Sequence, residues 1–162
     1  MQPRFCYNKR AQETLAAFVN GGRFPHALLL EGPEGSGRRT FAREIAAALF
    51  CRGEHKPCGS CNQCRKVLER NHPDVEYYGG DGSRRSFHID TIRQLRQNAW
   101  LLPGEAPCRV CVLCGAENMT DQAQNALLKI LEEPPEHTVF ILTAENRAML
   151  LPTILSRVQT IR

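Results

Sequence analysis

Apolar positions along the chain switch between two spacings. Ala11, Leu15, Phe18 and Val19 recur on one helical face, and Gly21-Gly22 ends that run. "HALLLE" (26–31) is a short unbroken apolar run, followed at once by a glycine-rich turn. Phe41, Ile45, Ala48 and Leu49 then share one face of "FAREIAAALF", so the local order is strand, glycine turn, helix. Further on, "VLER" (67–70) continues a short helix, "DVEYY" (74–78) reads as a strand and "GGDGS" (79–83) as an exposed turn. "DTIRQLRQNAW" (90–100) predicts a helix with Asp90 at its N-cap. "CRVCVLC" (108–114) and "TVFILT" (138–143) are too apolar for strands that face water on one side. Between them, Thr120 is placed to cap a helix whose Ala123, Ala126, Leu127, Ile130 and Leu131 share a face, and Pro134-Pro135 stops it.

Strands that alternate with helices, and that are apolar on both faces, predict an α/β fold with a mainly parallel sheet of about five strands. "HALLLE", "CRVCVLC" and "TVFILT" belong in its interior. The length of 162 residues suits one domain spanning 1–162, with the cysteine-rich stretch as its one insertion. No run of about 20 apolar residues is present, and "MQPRFCYNKRAQE" carries no apolar signal segment. The expectation is therefore no membrane association and a cytoplasmic setting. A net charge of +4 permits contact with nucleic acid but does not demonstrate it, and a solvated, slightly basic surface is the favoured account.

The glycine turn, "GPEGSGRRT" (32–40), comes close to the phosphate-binding loop that reads Gly, four residues, Gly, Lys, then Ser or Thr. Gly32, Gly35 and Gly37 keep its frame, and backbone amides at a helix N-terminus can cradle phosphate. Its side chains differ. Arg38 occupies the Lys position as a bulkier forked cation. Arg39 stands where a hydroxyl would ligate Mg²⁺, and Thr40 comes one residue late, turned away by about 100° of helix. The acid such sites carry at the end of a neighbouring strand is also missing, because "CRVCVLC" runs into Cys114-Gly115. Glu117 is the first acid beyond, and it reads as a surface loop residue. Both metal-holding positions are lost, which argues against ATP hydrolysis by this chain and leaves weak nucleotide binding open; a purely structural turn is the alternative.

Eight cysteines are present in the sequence. Cys6, Cys108, Cys111 and Cys114 are scattered and read as small buried hydrophobes. Cys51, Cys58, Cys61 and Cys64 follow the spacing C-x6-C-x2-C-x2-C, which suits a closed four-thiolate structural zinc site with no open position for catalysis. Arg52, Lys56 and Arg65 can offset the thiolate charge, His55 is a possible substitute ligand, and unbound buried cysteines are the plainer reading.

These segments together resemble the N-terminal part of the bacterial DNA polymerase III clamp-loader subunits, of the AAA+ class. "FPHALLLEGPEGSGRRTFAREIAAALFC" resembles their first strand, P-loop and helix, and the cysteine module at about 51–64 sits where the family inserts zinc. "NHPDVEYY", "IDTIRQLRQNAW" and above all "NMTDQAQNALLKILEEPPEHTVFILTA" resemble the family's next segments, and "LLPTILSR" resembles its terminal Ser-Arg motif, at Ser156 and Arg157. The resemblance implies a three-layer P-loop-type AAA+ domain, with the family's C-terminal lid and helical collar absent from this chain. Of the family's two kinds, the gamma/tau motor keeps Gly-Lys-Thr or Gly-Lys-Ser and acidic strand ends, whereas delta prime commonly has a degraded site. Gly37-Arg38-Arg39 and Cys114-Gly115 resemble delta prime. The implied role is a non-hydrolysing subunit of a hetero-pentameric ring with gamma/tau and delta. That ring loads the sliding clamp onto primed DNA, and Arg157 acts in trans as an arginine finger. Two other readings stay open: a gamma/tau-type ATPase with an unusual P-loop, and a zinc-containing nucleic-acid module on an unrelated α/β domain.

Overall fold

The computed structural model describes residues 8–79 and 87–162. Helix α1 spans Lys9–Asn20, β1 Ala27–Glu31, α2 Arg38–Phe50, α3 Asn62–Leu68 and β2 Val75–Tyr78. There follow α4 (Ile89–Asn98), β3 (Arg109–Cys114), α5 (Asp121–Glu132), β4 (Thr138–Ala144), α6 (Pro152–Leu155) and β5 (Gln159–Ile161). The five strands form one sheet in the order β2-β3-β4-β1-β5, parallel at every pairing. The three strands expected in the interior are there, and every residue of β3 and β4 is buried.

Alternate side chains of the buried strands feed two separate cores. Leu28, Leu30, Val110, Val112 and Ile141 pack with α1, α2 and α3 on one face. Ala27, Leu29, Cys111, Leu113, Phe140 and Leu142 pack with α4, α5 and α6 on the other. The period-two alternation of a strand sandwiched between helix layers thus appears as an unbroken apolar run in the sequence. Helix α2 is more enclosed than a one-face reading implies. Ala42, Ala46 and Ala47 are buried together with Phe41, Ile45 and Ala48, since α1 and α3 also pack against it.

Thr120 caps α5 as its chemistry requires, accepting the Ala123 N–H at 3.2 Å. Asn8 does the same for α1, through Ala11 N–H at 2.9 Å. Asp90 does not cap α4. The N-cap lies two residues earlier, at His88, and Asp90 lies in the first turn, paired with Arg93 at 3.0 Å. An acid in the first turn is still favoured by the helix dipole, so the sequence signal had the right origin and the wrong position. The turn expected at 79–83 and the cysteine expected at Cys6 lie outside the described residues, except Gly79. The loop after α4 presents Trp100, Leu101 and Leu102 to solvent, with Trp100 59% exposed. No helix among the described residues is long and apolar enough to cross a membrane.

The helices after β1 and β4 leave toward opposite faces, α2 into one core and α6 into the other. In an open parallel sheet this creates a crevice at the strands' carboxyl ends. The glycine loop opens onto that crevice.

Candidate functional site

The loop from Gly32 to Arg38 is tied to β4 by Gly32 N–H, which donates to Ala144 O at 3.2 Å, and is closed by Ser36 N–H donating to Pro33 O at 3.1 Å. Gly35 and Gly37 hold positive φ of 78° and 82°, a region that favours glycine, and Gly37 is the N-cap of α2. Gly32 serves by space instead: a Cβ there would lie 2.8 Å from Ser36 Oγ. The phosphate-loop frame is therefore intact.

Its cation is engaged elsewhere. Arg38 Nη2 faces Glu145 Oε1 at 3.6 Å across the crevice, from the head of α2 to the end of β4. Glu145 N–H in turn donates to Glu117 Oε1 at 3.2 Å, so two acids are linked beside the loop's cation. Glu117 is partly buried, with Oε2 lacking a partner, and not the surface residue its loop position suggested. Arg38 Nη1 and Ser36 Oγ are also buried without a hydrogen-bond partner. Both residues line a cavity of about 50 Å³ with Asn8, Leu30, Glu31 and Arg162. Thr40 is turned away from the loop, and its hydroxyl accepts from Arg43 Nη2 at 3.4 Å. Arg39 lies within electrostatic reach of Cys114, whose thiol is nevertheless pushed up by burial. A cation and a thiol held protonated by burial thus stand near the head of α2 and the end of β3.

The four clustered cysteines do converge. Sγ atoms of Cys51, Cys58, Cys61 and Cys64 all lie within 4.8 Å of one another, and none is in a disulfide. A tetrahedral zinc site with Zn–S near 2.3 Å requires S···S separations of roughly 3.8 Å, so only small shifts separate this set from ligation geometry. Backbone amides already point at the sulfurs. Cys58 N–H reaches Cys51 Sγ at 3.3 Å, Cys61 N–H reaches Cys58 Sγ at 3.3 Å and Cys64 N–H reaches Cys61 Sγ at 3.4 Å. Gly53 permits this close approach, because a Cβ would stand 3.0 Å from Cys58 Cβ. Ser60 Oγ–H, followed by the amides of Cys61 and Ser60, lowers the Cys58 thiol to about 5. Burial raises Cys61, but the amides of Cys64 and Arg52 outweigh it and its thiol is lowered. Cys64, beneath α2, is pushed up by burial. His55 is exposed and stays outside the set. A single four-thiolate metal fits this geometry.

The module is anchored by residues its spacing does not reveal. Buried His72 meets Gln63 Oε1 through Nε2 at 2.5 Å and accepts Asp74 N–H through Nδ1 at 3.0 Å, which makes Nε2 the protonated nitrogen. Its ring also packs on Phe50 at 4.7 Å.

Ser156 and Arg157 follow α6 at the surface. Ser156 Oγ donates to Thr153 O at 3.0 Å. Arg157 donates through Nη1 to Thr153 O at 2.8 Å and to Ser156 Oγ at 3.2 Å, and its Nη2 pairs with Glu132 at 2.8 Å. Sequence patterning singles out neither Glu145 nor Glu132, the two acids that meet these cations. Glu145 has a usable signal, since it directly follows a buried parallel strand and such strands end at the crevice. Glu132 has none.

The family described as "DNA polymerase III, delta subunit" matches residues 7–162. The chain belongs to that family. Among its relatives, the DNA polymerase III subunit delta' of Yersinia pestis is 39% identical over 138 residues, which is 84% of this chain and 41% of that protein. The DNA polymerase III subunit gamma/tau of Mycobacterium bovis is 35% identical over 145 residues, 88% of this chain and 25% of that one. A solved gamma subunit-related protein of Thermotoga maritima superposes with a TM-score of 0.64 at 28% identity, covering 92% of this chain and 44% of that one. The chain spans less than half the length of these relatives. Overall identity, 39% to the delta' subunit and 35% to the gamma/tau subunit, does not separate the two kinds.

Proposed function

We propose that this chain is the P-loop-like AAA+ domain of a delta prime-type clamp-loader subunit that does not hydrolyse ATP. The observation that carries the reading is the glycine loop itself. Its frame is kept, while Arg38 is drawn to Glu145 and the Mg²⁺-holding positions carry Arg39 and Cys114-Gly115. The loop then serves as a structural corner of the crevice, with residual capacity for an anion through its amides. The cysteine cluster would hold one structural zinc, the ion that four thiolates without an open position suit.

Its partners would be gamma/tau and delta subunits in a hetero-pentameric ring that places a sliding clamp on primed DNA. In such a ring Arg157 would reach a neighbour's ATP and stabilise charge developing on the γ-phosphate. Its surface position after α6 supports this role. Arginine fingers contribute about 10³–10⁵-fold in other phosphoryl-transfer systems, but only one site of the ring would depend on this subunit. Arg157→Ala in the full-length protein is expected to leave assembly intact, to lower clamp-stimulated ATPase in part and to lower clamp loading more. The check is a reconstituted complex, matched for size, assayed for both activities. Wild-type loading by the mutant complex would make Arg157 an ordinary surface charge. Turnover by the unmodified chain alone would favour the gamma/tau-type reading instead.

A further inference from the structure

Glu132 is the last residue of α5 and Arg157 lies just past α6. The two elements pack together on the same face of the sheet. A carboxylate in the last turn of a helix opposes the helix dipole, so α5 itself gains nothing from an acid at this position. Glu132 instead meets Arg157, with Oε1 at 2.8 Å from Nη2. Helix α6 has only four residues, and its one fully buried anchor is Ile154. Arg157 is held on this element through Nη1, by Thr153 O and Ser156 Oγ, which leaves Nη2 for a partner outside α6 and reduces the rotamer freedom that must be lost before it can act. The backbone of Glu132 is fixed at the end of a 12-residue helix with Ile130 and Leu131 buried.

Donor arithmetic shows what the contact leaves available. A guanidinium has five N–H donors. Two are engaged here, both on Nη1, with Thr153 O and Ser156 Oγ, and Nη2 adds an ion pair with Glu132. The others make no further hydrogen bond among the described residues, and the side chain is 34% exposed. Arg157 is thus tied to its own element and to α5 while staying partly exposed, and Glu132 is 49% exposed.

We infer that Glu132 is a positioning residue that braces Arg157 in the orientation from which it serves a neighbouring subunit's nucleotide. This rests on the reading of Arg157 as a trans-acting finger. Glu132 touches no substrate and acts only through the arginine. An exposed ion pair is worth a factor of about two to five, so the brace is weak enough for the guanidinium to adjust when phosphate arrives.

The test uses full-length protein in the reconstituted complex, and reads the part of clamp-stimulated ATPase that Arg157→Ala removes. Glu132→Ala is expected to lower kcat of that part about two- to fivefold. KM for ATP should not change, because the neighbour binds the nucleotide. Glu132→Gln keeps an acceptor oxygen and should restore most of the rate. In the Arg157→Ala background, Glu132→Ala should add nothing. A wild-type kcat for Glu132→Ala beside an impaired Arg157→Ala complex overturns the brace and leaves the finger standing. Equal losses from Glu132→Ala in both backgrounds also overturn the brace, since the effect would then bypass Arg157. An Arg157→Ala complex with wild-type activity overturns the finger, and the brace with it.

Discussion

Asp74 is buried and fastens the loop that follows α4. Its carboxylate accepts the N–H groups of Gly104, Glu105 and Ala106 at 2.7, 2.8 and 2.8 Å, with Arg109 Nη1 at 3.8 Å. Burial alone would raise its pKa, but the three amides outweigh burial and hold it below the usual carboxylate range. A depressed folded pKa contributes stability that is present above the unfolded value of about 3.9 and is lost as pH falls through the folded one. Asp74→Asn turns one acceptor into a donor facing amides, at a cost of about 1–3 kcal/mol near neutrality. Thermal melts should show a gap of several degrees between wild type and variant at pH 7, narrowing steadily below pH 4. Equal melting temperatures at pH 7 would show that the amides find other partners. In the sequence Asp74 reads only as the start of "DVEYY", because its partners lie some 30 residues on and no local spacing points to them. Thr120 is legible for the opposite reason: a cap satisfies an amide three residues away.

The legible elements are those whose burial is written in their own composition. β1, β3 and β4 are apolar on both faces, so periodicity alone places them inside. β5 has three residues with one buried, too short for any period to register, and only its pairing with β1 reveals it. The cysteine module is legible as a ligand set but not as a packed element. Cys51, Cys64 and Val67 belong to the core shared with α2, so its loss should reach further than the insertion itself. Cys61 has two tasks, since its sulfur also accepts Cys64 N–H as the N-cap of α3. Cys61→Ser is expected to release zinc and speed amide exchange from residue 51 to the end of α3 and on the facing side of α2. The exchange of β1, β3 and β4 should stay slow. Elemental analysis beside exchange mass spectrometry reads both, and a variant that keeps about one zinc per chain would remove Cys61 from the ligand set.

At the scale of the whole molecule, the crevice is legible as strand-turn-helix, whereas its occupation by an ion pair depends on β4 ending beside β1, a fact of topology. Restoring the lost loop side chains should therefore not restore the chemistry. Arg38→Lys with Arg39→Thr is expected to show no ATP turnover above background with Mg²⁺ present, as Cys114-Gly115 still offers no carboxylate and Glu145 still faces the loop. A phosphate-release assay giving robust turnover would mean that a carboxylate at the strand end is dispensable. Trp100 carries a different consequence. It is the chain's one tryptophan, and it already stands in water on a loop fastened through Asp74 and through Glu105 to Lys66 of α3. Its indole gains little solvent when the sheet melts, so intrinsic fluorescence is a poor thermometer of folding here. The same indole, free of any second emitter of its kind, is a built-in optical tag for whatever comes to cover that corner or tugs on it from the cysteine module.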